Sequence, residues 1–239
     1  MVPAYREYRP PAGLESVVAC LWEHEPACAH RQRIIPDTCL DLIWLAGSEL
    51  VIAGADTTAR VAELPAGART SGVRLRTGAA GAVLGVPASE LRDRQVPAAL
   101  VWGAQATALE AELAVADPAR RLELLTGVVA RRRVEPDPLV RAAARSLAGP
   151  RARVAGVASE LGVSERQLHR RVLAAVGYGP KMLARVGRLR RLIALADEPL
   201  AGRAFAAGYA SQAHMSDEVR RLTGTTPVRF LEDAALTAA

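Results

Sequence analysis

Along the first hundred residues apolar positions fall in short runs broken at close intervals. Cys39-Leu40-Asp41-Leu42-Ile43-Trp44-Leu45 and Leu50-Val51-Ile52-Ala53 are separated by turn signals at Ala46-Gly47-Ser48 and Gly54-Ala55-Asp56. Further glycine and proline punctuation follows at Pro65, Gly67, Gly72, Gly78, Gly81, Gly85 and Pro87. This spacing predicts a β-rich unit over residues 1–103, a small sandwich or barrel-like domain. From residue 104 the period changes. An alanine-rich stretch over 104–116 carries Leu109 and Leu113 at helical spacing. Asp117-Pro118 and Asp137-Pro138 each read as an N-cap followed by proline in the first turn. They predict one helix running to Arg133, with Leu122, Leu125 and Val129 inward, and another ending near Gly149-Pro150. Residues 104–149 are therefore expected to form a helical connector without chemistry of its own.

The segment 150–233 contains a degenerate repeat. Leu168, Val172, Gly177, Pro180 and Leu183 have counterparts 47 residues later in Met215, Val219, Gly224, Pro227 and Phe230. Ala158 and Gly162 match Ala204 and Gly208 at an offset of 46. Each copy predicts a short helix, a glycine turn and an amphipathic helix, which together make a helix-turn-helix. In the first copy the helix from Val154 to Leu161 ends at Gly162, and Ser164 with Gln167 gives a capping-box pattern. Leu168, Val172 and Val176 form the buried stripe, so Glu165, Arg166, His169 and Arg170 face away from it. In the second copy a helix from Leu200 to Ala207 turns at Gly208-Tyr209-Ala210. The next helix, Ser211 to Thr223, places Met215, Val219 and Leu222 inward and Gln212, His214, Ser216 and Asp217 on or near its outer face. A long helix from Pro180 to Ala196 joins the copies, with Leu183, Val186, Leu189 and Ile193 available to both. Residues 234–239 are read as a tail. The fold class is α+β, with an all-α C-terminal domain.

Charge sharpens this division. Of 239 residues, the first 150 hold 17 arginines and 17 carboxylates, whereas 151–239 hold 14 basic and 8 acidic side chains, the whole net charge of +6. A compact basic unit attached to a neutral one is drawn to a phosphate polyanion. No apolar run is long enough to span a bilayer, and the N-terminus lacks the pattern of a secretion signal, so a cytoplasmic protein is expected. Three cysteines make a poor disulfide framework, which fits a reducing compartment.

The stretch Ala206-Ala207-Gly208-Tyr209-Ala210-Ser211-Gln212-Ala213-His214-Met215, followed by Leu222-Thr223-Gly224-Thr225-Thr226-Pro227, is similar to the signature of AraC/XylS-type transcriptional regulators around their second helix-turn-helix. The resemblance covers the C-terminal 80 or so residues. It implies the fold, promoter binding and an N-terminal domain that senses or oligomerises. Gly72-Val73-Arg74-Leu75-Arg76 through Gly85-Val86-Pro87 also resembles an uncharacterised sensor-like domain found on some of these regulators, which implies no known ligand. By correspondence with the family motif, Arg166, His169 and Arg170 are the base-edge candidates. Ser164 and Arg171 suit phosphate, as do Arg185, Arg188 and Arg190 of the linker helix, while Gln212, His214 and Ser216 are the candidates on the second unit. The chain departs from the family where aromatic residues are usual, at Val172, Met215 and Val219. Asp217 stands where a basic contact is common, and Glu218 follows it; two carboxylates there would repel phosphate.

A second reading starts from Cys20, His24, Cys28, His30 and Cys39, which include every cysteine and supply ligand types for a metal- or thiol-responsive regulator. Their spacing fits no standard zinc pattern, and free cysteine is commonly a small buried hydrophobe. No phosphate loop, nucleophile elbow or His-Glu-x-x-His pair occurs. A DNA-repair enzyme carrying an AraC-like domain would need more cysteines than this chain has. No catalysis, cofactor or metal is expected. Trp22, Trp44 and Trp102 are candidates for a pocket wall and equally for core. The expected partner is double-stranded DNA; RNA polymerase, a small-molecule effector and a second copy of the chain are the further candidates, with no membrane.

Overall fold

The computed structural model describes residues 4–132, 134–195 and 198–238; Arg133 and Ala196, where two predicted helices end, lie outside them. The first half holds strands β1 (Ala4–Tyr8), β2 (Val18–Glu25), β3 (His30–Ile34), β4 (Leu40–Leu45), β5 (Glu49–Ala53), β6 (Arg60–Leu64), β7 (Thr70–Leu75) and β8 (Gln95–Pro97). Six of them form one sheet in the order β1-β2-β7-β4-β5-β8, every neighbouring pair antiparallel, and β3 and β6 form a separate ribbon. The sheet ends at β1 and β8, so it is open rather than a closed barrel. Trp22 lies flat on β7 over Gly72, where a Cβ would come within 2.4 Å of the indole. Only glycine leaves room for the ring there.

Among the described residues eleven α-helices follow or punctuate the strands: α1 (Ala80–Leu84), α2 (Ala99–Trp102), α3 (Ala104–Val115), α4 (Pro118–Arg131), α5 (Pro138–Leu147), α6 (Val154–Glu160), α7 (Glu165–Val176), α8 (Pro180–Ala194), α9 (Leu200–Ala206), α10 (Gln212–Thr223) and α11 (Pro227–Ala238). A 3₁₀ turn, Ala88–Glu90, lies between α1 and β8. Both Asp-Pro start signals act as read. Asp117 accepts from the Arg120 N–H at 2.9 Å and Asp137 from the Leu139 N–H at 2.9 Å. Helix α11 runs on to Ala238, into the segment read as a tail.

Packing does not follow the texture boundaries at 103/104 and 149/150. Helix α4 lies against β7, and Leu122, Leu125 and Val129 join Leu42, Trp44, Ile52, Val73 and Leu75 in one core. The helices read as a connector therefore form the layer that covers one sheet face, without which those strand side chains would meet water. The same core runs on through Val140, Ala143 and Leu147 of α5 into Leu168, Val172 and Val176 of α7, and on to Val186 of α8. A second core gathers Leu189, Leu192, Ala204, Met215, Val219, Leu222 and Phe230, with Ile35 of the sheet domain packed against it. Trp22, Ile43, Val51 and Ala53 make a small cluster on the other face of the sheet. All three tryptophans are buried, Trp102 donating to the Leu84 carbonyl at 3.0 Å, so they are core residues.

Candidate nucleic-acid interface

The first unit is α6, a turn and α7. Gly162 takes φ 65°, and the chain is closed by the Val163 N–H donating to the Ala158 carbonyl at 3.0 Å. Ser164 accepts from the Gln167 N–H at 3.2 Å, while the Gln167 side chain accepts from the Ser164 N–H at 2.9 Å. This reciprocal capping box satisfies two of the orphan donors at the start of α7. It also occupies the Ser164 hydroxyl, whose own hydrogen goes to Gln167 Oε1 at 3.1 Å. Leu168, Val172 and Val176 are fully buried, which turns Arg166, His169 and Arg170 to solvent. No ion pair engages Arg166 or Arg170 among the described residues. His169 leans over the loop after α7, its Nε2 lying 2.7 Å from where a Cβ of residue 179 would sit. Arg171 is differently placed. It grips Asp137, the cap of α5, through two bonds of 2.6 and 2.7 Å. Partial burial would raise the Asp137 carboxyl, but the bonds from Arg171 and the Leu139 N–H hold it below its ordinary range.

The second unit is α9, a turn and α10. Gly208 has φ 91°, and a Cβ there would lie 1.9 Å from the Pro150 carbonyl oxygen, so this turn admits only glycine. Ser211 accepts from the His214 N–H at 3.1 Å, and the Ala210 N–H donates to His214 Nδ1 at 3.2 Å. His214 thus plays the part that Gln167 plays in the first unit, and its ring stands edge-on to Tyr209 at 5.6 Å. Gln212 is exposed and Ser216 half-buried. Met215, Val219 and Leu222 are buried as the pattern required.

Two features here were not legible in the repeat. The first is Glu218, which is 6% exposed instead of facing a phosphate. Arg185 donates to it at 2.7 Å, with Arg188 at 3.7 Å and Arg221 at 3.8 Å around the same carboxylate. This corrects the expectation of two outward carboxylates: Asp217 alone is outward, beside Arg220 at 3.7 Å. A buried carboxylate requires cations close by, and α8 supplies them. Arg188 also lies over the Tyr209 ring at 5.7 Å. The second feature is the fate of Arg190, whose Nη1 donates to the Asp37 carbonyl at 3.3 Å. All three linker-helix arginines assigned to phosphate are thus turned onto partners within the chain.

The structure does not gather the cysteines and histidines into a ligand set. Among the described residues no group of three or more His, Cys, Asp or Glu side chains is disposed to hold a metal ion. Cys20 and Cys39 are half-buried on the sheet, their thiols pushed up to about 11 and about 12, chiefly by burial. A thiol so displaced holds little thiolate at neutral pH. Cys28 is exposed. His24 and His30 do meet, rings 5.9 Å apart, one on β2 and the other on the ribbon.

Two short-helix, glycine-turn, serine-capped-helix units on a shared linker helix define a tandem helix-turn-helix DNA-binding domain. Residues 157–233 match the family described as a helix-turn-helix domain, of AraC type, and residues 6–97 match a domain of unknown function, DUF6597. The chain is 41% identical over 85 residues to a protein of Mycobacterium tuberculosis named "Probable bifunctional transcriptional activator/DNA repair enzyme AlkA", a match covering 34% of this chain. The chain spans only 17% of the length of that relative, within its AraC-like region. Among solved structures it is similar to apo ToxT from Vibrio cholerae, at TM-score 0.46 and 13% identity over 95% of this chain and 99% of that one. It is also similar to ToxT bound to (E)-4-(8-methylnaphthalen-1-yl)but-3-enoic acid, at TM-score 0.45 and 10% identity over 98% of this chain and 100% of that one. The chain therefore carries an AraC-type helix-turn-helix domain over residues 157–233, behind a domain of unknown function over residues 6–97. Among the described residues no helix is long and apolar enough to cross a membrane.

Proposed function

We propose that the protein is a sequence-specific regulator of transcription. In this reading α7 is the principal helix in the major groove, and the N-terminal domain modulates it by taking a small-molecule effector or by associating with a second copy. The single observation carrying this is the outward face of α7, where Arg166, His169 and Arg170 stand exposed on a helix whose start is fixed by a complete capping box. Helix N-terminal side chains read base edges, and an arginine there can bond guanine through two donors. Gln212 extends the reading surface on α10, with Ser216 at its margin. His214 serves the turn first and the duplex second. Modulation from the N-terminal side is supported by the packing, since α7 shares its core with the sheet and touches α1, α5 and the 3₁₀ turn. A change in that core would be felt by α7 directly.

The test is fluorescence anisotropy of the full chain on DNA from its own upstream region against a scrambled duplex, at two salt concentrations. Preference for the native duplex with a steep salt dependence is expected; equal, weak binding to both would sink the proposal. Arg170→Ala should cost about 1–3 kcal/mol on the specific site and far less on random DNA, whereas an equal loss on both would move Arg170 to the phosphate class. Arg185, Arg188 and Arg190 each have a partner inside the chain. Replacing Arg190 by Ala should therefore leave the salt slope nearly unchanged.

A further inference from the structure

The two helix-turn-helix units are built to the same measure, so their outward faces can be compared position by position. Helices α7 and α10 each have twelve residues. Each starts at a serine that accepts from the third helical N–H, and each ends at a glycine with positive φ. With both ends matched, equal positions point the same way on the two helices. Arg166, His169 and Arg170 correspond to Ala213, Ser216 and Asp217, and Arg171 corresponds to Glu218.

The charge at the last two of these positions is reversed between the units. In both units the second of the pair is used inside the chain: Arg171 donates to Asp137 at 2.6 Å, and Glu218 accepts from Arg185 at 2.7 Å. In both units the first is left outward. Arg170 is exposed, and the Asp217 side chain is 66% exposed, with Arg220 at 3.7 Å, beyond hydrogen-bond reach. Where α7 presents a cation to a duplex, α10 presents an anion at the same place.

A carboxylate on such a face has few favourable partners. It accepts and cannot donate, so phosphates, guanine O6 and N7, and thymine O4 all repel it. Adenine offers its N6 donor only beside the N7 acceptor, whereas cytosine offers N4 with no acceptor of its own in the major groove. Arg170 has the opposite preference, for guanine O6 and N7. The surroundings of Asp217 suit a short side chain working at close range. Ala213 and Ser216 on the same face are small enough to let the helix backbone approach the groove floor. His214 is turned back to accept from the Ala210 N–H, and Arg220 offsets part of the repulsion between Asp217 and the phosphates.

We propose that Asp217 reads a base, and that α10 selects a cytosine–guanine pair whose cytosine amino group faces it. The inference rests on the regulator reading and deepens it. The recognised site joins two unlike elements, guanine under Arg170 and cytosine under Asp217, although the protein units repeat. The same carboxylate rejects the other bases and weakens binding to random DNA, so the selectivity of α10 comes largely from what it excludes.

The test is selection by the full chain from a pool of double-stranded DNA with a randomised core. Anisotropy on the selected duplex, with one pair changed at a time, then measures each preference. The wild type should hold one cytosine–guanine pair in a fixed orientation, with the inverted pair and both adenine–thymine pairs bound about 5- to 150-fold more weakly. At that pair alone, Asp217→Arg should invert the preference, and Asp217→Asn should replace it by adenine, whose N6 and N7 match an amide. Arg170→Ala should relax a different pair. Asp217→Ala should tighten binding to a scrambled duplex on charge grounds alone, so its deciding readout is the loss of preference at the one pair. The proposal is overturned by a selected site in which no pair responds to residue 217, which leaves Asp217 a repulsive charge and nothing more. A responding pair that is adenine–thymine in the wild type, or an orientation unchanged in Asp217→Arg, overturns it equally. Those results leave the regulator reading standing, whereas a wild type that enriches no sequence at all sinks that reading and this inference together.

Discussion

Leu168 and Val172 of the first unit match Met215 and Val219 of the second, yet the two sets are buried in different cores. The first belongs to the core that begins under the sheet at Leu14 and Val17. The second is a smaller cluster of its own, reached from the sheet domain by Ile35 and a few polar contacts. Helix α8 is divided accordingly: Leu183, Ala184 and Val186 pack in the first core, Leu189 and Leu192 in the second, and Met182 touches both. The same local pattern, used twice, should therefore give one unit that unfolds with the whole molecule and one that loosens alone. Cooperativity follows shared burial rather than repeat symmetry.

Matched core truncations would break this comparison most forcefully. Leu168→Ala should cost about 2–5 kcal/mol and lower one global transition, because its cavity opens in the shared core. Met215→Ala, at a similar cost, should split calorimetric melting into two steps, with α9 to α11 leaving first. A single transition for Met215→Ala would show that the two cores melt as one.

The next largest effect is expected at Glu218. Glu218→Ala strands Arg188 and Arg185 against a site built for a carboxylate. The cost should be about 2–4 kcal/mol, toward the lower end for a broken buried pair, because Arg185 is a third exposed and can turn to water. Hydrogen exchange should rise across α10 while α7 stays protected. Equal deprotection of both helices would erase the distinction between the units.

Much of this was readable beforehand because it depends on neighbours in sequence. The caps at Asp117, Asp137 and Ser164, the glycine turns at 162 and 208 and the buried stripes are all local, and all appear. What escaped the pattern joins residues far apart. Glu218 meets α8 across 33 residues, and Arg33 meets Thr223 across 190. Helical periodicity places Glu218 near the boundary of the apolar stripe, where it reads as surface, and only the arrival of Arg185 and Arg188 makes its burial tolerable. The role of α3 to α5 as a sheet-covering layer was hidden for the same reason: apolar spacing shows which face is inward, not what it faces.

The polar contacts from the ribbon sharpen the comparison at smaller scale. Arg33 donates to the Thr223 carbonyl at 2.7 Å, and the Ala59 N–H donates to the Leu222 carbonyl at 2.7 Å, so the sheet domain satisfies carbonyls at the C-terminal end of α10. Arg33→Ala should cost about 1 kcal/mol, read as faster exchange in α10 and α11 with no change in α6 and α7. Unchanged exchange in α10 would mean that Ile35 and α8 hold the second unit without the ribbon.

The mildest perturbation needs no substitution. His24 is buried on β2 with Tyr5 beside it and His30 of the ribbon edge-on, and burial, then the nearness of His30, lowers its pKa from 6.5. A histidine with a depressed folded pKa binds protons more weakly than in the unfolded chain. Its neutral form therefore supports the fold above about pH 6.5, and that support is lost as the pH falls through this value and below. The loss falls on the contact between β2 and the ribbon, which also carries Arg33 and Ile35 to the second unit. Lowering the pH from 7.5 to 5.5 should accelerate exchange in α10 before α7, by a fraction of the Arg33→Ala effect. His24→Gln, which cannot charge, should flatten that dependence. Equal acid sensitivity of both helices, or a dependence that survives in His24→Gln, would place the titrating group outside the ribbon contact.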